Sequence, residues 1–139
     1  MNKIELATLK ARVDNDDPEA LLMYSDYLLA QDPQESDKYL VLAAQLGNPQ
    51  AAEKLGDKYI DKGDYARAAE YFKIGAKAGI LDCSVKLAVT NLSVNETAAV
   101  RELEDLAESG VKSACSALAA YYKAHGNRKQ ASFWRSLLK

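Results

Sequence analysis

The segment from Gly47 to Gly79, GNPQAAEKLGDKYIDKGDYARAAEYFKIGAKAG, recurs along the chain, and no other feature restricts the fold so strongly. Shifted forward by one period, Ala51 falls on Cys83, Leu55 on Leu87, Gly56 on Ala88 and Gly47 on Gly79. A second shift leads to Ala114, Leu118, Ala119 and Gly110. Shifted backward by one period, Ala51 lands on Ala20, Leu55 on Tyr24, Tyr71 on Tyr39 and Ala76 on Ala44. In the second half of the unit, Ala68, Tyr71 and Phe72 align two periods on with Ala131, Trp134 and Arg135, and Gly63 aligns with Gly126. The third unit is the most degenerate there, with Leu103 standing for Tyr71. A fixed period of this length marks an architecture in which each unit buries its apolar face only against its neighbours.

Each unit carries two helical patterns. Ala51, Leu55, Gly56 and Tyr59 fall on one helical face, as do Ala68, Ala69, Phe72 and Ala76. Between them Asp61-Lys62-Gly63-Asp64 offers a glycine for the left-handed position after one helix and an Asp to cap the next. The three prolines stand in Asp17-Pro18, Asp32-Pro33 and Asn48-Pro49, each a capping residue followed by proline at the first helical position. Later starts fall near Asp64, Leu81, Asn95, Val111 and Asn127. The pattern predicts helices over about 3–13, 18–30, 33–46, 49–61, 64–77, 81–92, 95–108, 112–124 and 127–138. No run alternates with period two over a strand's length, so no sheet is expected. The expectation is an all-α chain, one domain over 1–139, with a cap helix in 1–16 and repeats at about 17–46, 47–78, 79–109 and 110–139.

The motif carried by Ala51, Leu55, Gly56, Tyr59, Gly63, Ala68, Tyr71, Phe72, Ala76 and Gly79 resembles the Sel1-like repeat of the tetratricopeptide superfamily. The likeness covers roughly residues 17 to 139 and is strongest in the second unit. It implies an α-solenoid, a right-handed superhelix of stacked antiparallel helix pairs, with about nine helices here. Gly56 and its counterparts would let helices approach closely, and Tyr59, Tyr71 and Phe72 would fill the space between pairs. The period of 31 to 32 is shorter than is usual for Sel1-like units and closer to ordinary tetratricopeptide repeats. Cys83 and Cys115 hold equivalent places in neighbouring units, and two cysteines are too few for a disulfide framework or zinc site. In stacked units such positions lie roughly 10 Å apart, beyond the ~6 Å a disulfide spans, so two reduced thiols replacing alanine are expected.

Composition narrows the function. Eighteen Lys and Arg against twenty Asp and Glu give a net charge of −2, which disfavours non-specific nucleic-acid binding. No run of about 18 apolar residues could span a membrane, and the start MNKIELATLK lacks the apolar core of a signal peptide. A cytoplasmic location is the expectation, and the triplets at Asn91 and Asn95 are read as chance matches to a glycosylation motif. The single His125, in Ala124-His125-Gly126-Asn127, is read as a solvent-facing residue beside a helix C-terminus. Asp14-Asn15-Asp16-Asp17 departs from an EF-hand loop, with Glu19 where glycine is needed. No nucleotide-loop or nucleophile-elbow motif occurs. The sequence therefore predicts no enzyme, no cofactor and no metal.

In the tetratricopeptide superfamily the first helix of each pair lines the concave face. Carried over, the resemblance implies a protein-binding surface of Glu19, Leu22, Asp26 and Leu29 in the first unit and Gln50, Glu53, Asp57, Ile60 and Asp61 in the second. The third contributes Asp82, Val85, Val89 and Leu92, and the fourth Ser113, Ser116, Ala120 and Lys123. The surface is acidic early and apolar or neutral later, which suits a protein or peptide with basic residues at one end and small apolar ones at the other. A second expectation is homodimerisation through the C-terminal repeat, where Phe133, Trp134, Leu137 and Leu138 have no further unit to cover them.

Overall fold

The computed structural model describes residues 1–139 as nine α-helices with no strand. They are α1 (Lys3–Asp14), α2 (Pro18–Leu28), α3 (Pro33–Gln45), α4 (Pro49–Asp61), α5 (Tyr65–Lys77), α6 (Leu81–Asn91), α7 (Glu96–Glu108), α8 (Lys112–Ala124) and α9 (Arg128–Ser136). All nine expected helices are present. Their ends agree within a residue or two, α2 closing at Leu28 and α9 at Ser136.

Local chemistry explains the boundaries. Seven helices begin on a side-chain cap, from Asn2, Asp17, Asp32, Asn48, Asp64, Asn95 and Asn127. Each cap oxygen takes one of the backbone N–H groups that have no partner within the first helical turn. α4 closes on Gly63 at φ +77°, where the Gly63 N–H bonds the Ile60 carbonyl and the Asp64 N–H bonds the Tyr59 carbonyl. This pair of bonds requires a left-handed residue between them. The same pair recurs at the four other interhelix glycines, including Gly47 and Gly126. After α1 the left-handed position holds Asp16, at φ +55°.

The chain forms two compact units, Met1–Ile80 and Leu81–Lys139, where the sequence suggests one array over 1–139. In the first unit each helix packs on the next, from α1 through α5. In the second, α6 packs on α7, α7 on α8 and α8 on α9, and α6 also meets α8.

The repeat is visible in what is buried. Ala20, Ala51, Cys83 and Ala114, one period apart in turn, are all fully buried. Leu40, Phe72, Leu103 and Trp134 form the matching buried row on the second helices. That row corrects the sequence alignment, which paired Phe72 with Arg135 and set Leu103 and Trp134 against Tyr71. Arg135 is exposed, and Trp134 takes the buried slot one residue earlier. At about 3.6 residues per turn, positions i+3 and i+4 from Ala131 reach nearly the same face, so burial decides between them.

The small residues opposite this row set the helix spacing. A Cβ added to Gly56 would lie 2.3 Å from Cε1 of Phe72, closer than any real contact. The place of Gly56 is taken in the preceding pair by Ser25, one period earlier. There Ser25 Oγ donates to the Ser36 carbonyl at 2.8 Å and Ser36 Oγ donates to the Ser25 carbonyl at 2.7 Å. Both serines are buried, so this reciprocal pair satisfies hydroxyls that would otherwise be costly inside. Tyr59 and Tyr71 stack in parallel at 5.6 Å, as expected of aromatic fillers between helices. Cys83 and Cys115 are buried and form no disulfide.

Candidate functional site

The expected binding residues fall into three groups. In the first unit, Asp26 of α2, Leu29 just after it and Asp57 of α4 come together around a hollow of about 270 Å³, with Ser25, Lys54 and Lys58 on its wall. The acidity is partly balanced within the fold. Lys54 Nζ lies 3.0 Å from Asp26, Lys58 pairs with Asp37, and Arg12 Nη2 lies 3.9 Å from Glu19. Ion pairs this exposed contribute little stability, so a partner's cations can compete for these carboxylates at small cost. Gln50 and Asp61 are exposed, Glu53 and Ile60 half-buried, and Leu22 packs against the core.

In the second unit Val89, Leu92 and Ala120 line one groove of about 580 Å³ with Ala117, Ala124 and Tyr121. Ser116 is exposed on α8, and Asp82 accepts a hydrogen bond from Ser113 at 3.1 Å, linking α6 to α8. Two expected residues lie elsewhere. Val85 is only 5% exposed and belongs to the core, so it cannot meet a partner. Its counterparts Glu53 and Ser116 are not buried, and α6 is thus rotated in what it hides: Cys83, Val85, Ala88 and Thr90. Lys123 faces α9, in a hollow with Arg128 and Arg135.

One end of the apolar groove is polar. Tyr121 donates its phenol proton to Glu96, and His125 Nε2 lies 3.7 Å from the same carboxylate. The Tyr121 and His125 rings are 4.2 Å apart, and His125 Nδ1 lies 2.8 Å from the Tyr121 carbonyl. The hydrogen bond to Glu96, then burial, then the carboxylate's charge push the Tyr121 phenol up to about 12. It stays protonated at any physiological pH and acts as a hydrogen-bond donor. The neighbouring Tyr122 donates to Glu104 at 3.2 Å, and burial followed by that bond raises its pKa as well. His125 therefore sits where the sequence suggests, at the C-terminal end of α8, but beside a carboxylate from α7. Glu96 and His125 are distant in sequence, and only packing brings them together.

Seen from its fold, this is an all-α helical-repeat chain whose first-of-pair helices carry one apolar groove and one charged hollow. No helix is long and apolar enough to cross a membrane. No protein-family model matches the chain, and no curated protein matches it.

Proposed function

We propose that the chain is a non-catalytic, cytoplasmic protein-binding module of Sel1-like repeats that holds a segment of another protein on its first-of-pair helices. The observation that carries this reading is the groove of Val89, Leu92, Ala117 and Ala120, which offers about 580 Å³ to small apolar side chains. A concave, mostly apolar surface with a few polar groups at one end is the usual form of a recognition site. In the first unit, taken by itself, the carboxylates Glu19, Asp26 and Asp57 suit basic residues of a partner. The rim supports binding rather than turnover, because Tyr121 holds its proton far above neutrality and Glu96 is occupied by it. The close approach at Gly56 supports the repeat assignment.

The test is affinity capture with the full chain, identifying partners by mass spectrometry. Val89→Glu with Ala120→Glu places charge in the groove at exposed positions and should abolish capture of the apolar-segment partner. Asp57→Lys with Glu53→Lys, in the first unit, should weaken capture of partners that present basic residues. A partner captured equally by all three proteins would place binding elsewhere.

A second reading, self-association through α9, keeps one observation in its favour. Phe133 and Leu137 are 51% and 48% exposed. Trp134 does not share that face, being 6% exposed and part of the core. Light scattering at tens of micromolar decides it, since a monomer there ends the reading.

A further inference from the structure

Charge is distributed very unevenly along this chain. All twenty Asp and Glu residues lie at or before Glu108, whereas Ser109–Lys139 contains six Lys or Arg and no carboxylate side chain. The near-neutral net charge hides this asymmetry. Three of the six cations converge. Between α8 and α9 lies a hollow of about 430 Å³ lined by Lys123, Arg128, Ser132 and Arg135, with buried Ala131 behind them. Arg128, Ser132 and Arg135 are spaced i, i+4, i+7 and so share one face of α9, while Lys123 comes from the last turn of α8. No Asp or Glu lines the hollow.

A hollow lined by cations and by no carboxylate presents a positive potential that favours an anion. We infer that this hollow binds a phosphoryl group, free or carried on another molecule. Two guanidinium forks match the oxygens of a phosphate, the ammonium adds a point charge, and Ser132 supplies a hydroxyl donor. Three positive charges favour a dianion over a carboxylate. The volume exceeds that of one phosphate, which leaves room for a carrier. None of these residues lines the apolar groove, so the inference stands apart from the protein-binding reading.

The experiment titrates the isotope-labelled full chain with inorganic phosphate and, at matched ionic strength, with acetate, following amide resonances. Saturable shifts confined to Lys123, Arg128, Ser132 and Arg135 are expected, with half-saturation at about 1 mM or below. Acetate should bind about tenfold more weakly, a difference of ~1.4 kcal/mol. Arg128→Gln with Arg135→Gln should weaken phosphate binding at least tenfold, the same ~1.4 kcal/mol or more, with an unchanged melting curve. Lys123→Gln alone is the second variant and should weaken it less. A phosphoserine peptide that binds more tightly than inorganic phosphate identifies a carried group, and equal affinity identifies a free one; both uphold the site. Shifts that do not saturate, an equal response to acetate, or unchanged binding in the double variant would overturn it.

Discussion

Gly56 of α4 and Phe72 of α5 touch so closely that no side chain fits between them: a Cβ on Gly56 would stand 2.3 Å from Cε1 and 2.6 Å from Cδ1 of the buried ring. Glycine in mid-helix weakens the helix by ~1 kcal/mol relative to alanine, so its presence here reflects packing. Where the first helices carry Ser25, Ala88 or Ala119 at the equivalent position, the buried row has Leu40, Leu103 or Trp134 in place of Phe72.

Gly56→Ala should therefore destabilise the protein by about 1–3 kcal/mol despite the better helix former, because a close-packed core must shift the ring. Adding Phe72→Leu should recover most of the loss. Urea unfolding followed by circular dichroism measures both, and a Gly56→Ala protein as stable as wild type would mean the ring moves freely.

The buried Ser25–Ser36 pair gives a coupling prediction. Each single alanine substitution removes one hydroxyl-to-carbonyl bond and should cost about 1 kcal/mol. The hydroxyls also lie 3.1 Å from each other. The double variant should therefore depart from the sum by about 0.5 kcal/mol or more in a thermodynamic cycle. Additive losses would show that each serine acts alone.

Asp16 holds the left-handed position that glycine fills after α4. Asp16→Gly should raise stability by about 0.5 kcal/mol, the relief of an unfavourable φ less the added freedom of the unfolded chain. Gly63→Ala, the reverse change, should lower it by about 1 kcal/mol. Thermal melts of the two variants should move in opposite directions.

The Tyr121–Glu96 bond predicts a titration. A phenol whose folded pKa lies above its unfolded value near 10 contributes stability that is fully present below 10 and lost as pH rises through about 12. Phenolate absorbance should show Tyr121 ionising late in the wild type. Glu96→Gln removes the charge and should bring one tyrosine back toward 10, while Tyr71 and Tyr122 stay raised by their own surroundings. An identical titration in the variant would show that Glu96 does not hold the phenol.

Reading the chain alone yields the helices, because their signals are local. Asp17-Pro18, Asn48-Pro49 and the Gly63 turn carry cap and stop within a few residues, and the repeat period places the small residues at the contacts. Asp26 and Asp57 line one hollow, and Val89 and Ala120 line one groove. The sequence reading misplaces Val85 and the partner of Phe72 because a one-residue change of phase alters which side of a helix is hidden, and degenerate repeats do not fix that phase. The basic hollow is partly legible, since the absence of Asp and Glu after Glu108 is plain in the sequence.

What the sequence determined by itself is the number, extent and order of the helices, since caps, turns and periodicity act over a turn or two of backbone. What the tertiary structure decided is which side chains meet. Glu96 reaches Tyr121 and His125 from another helix, and Lys123 joins Arg128 and Arg135 across a helix pair. Those meetings depend on how close-packed helices rotate to bury apolar volume, a balance summed over the whole core rather than written in any short stretch.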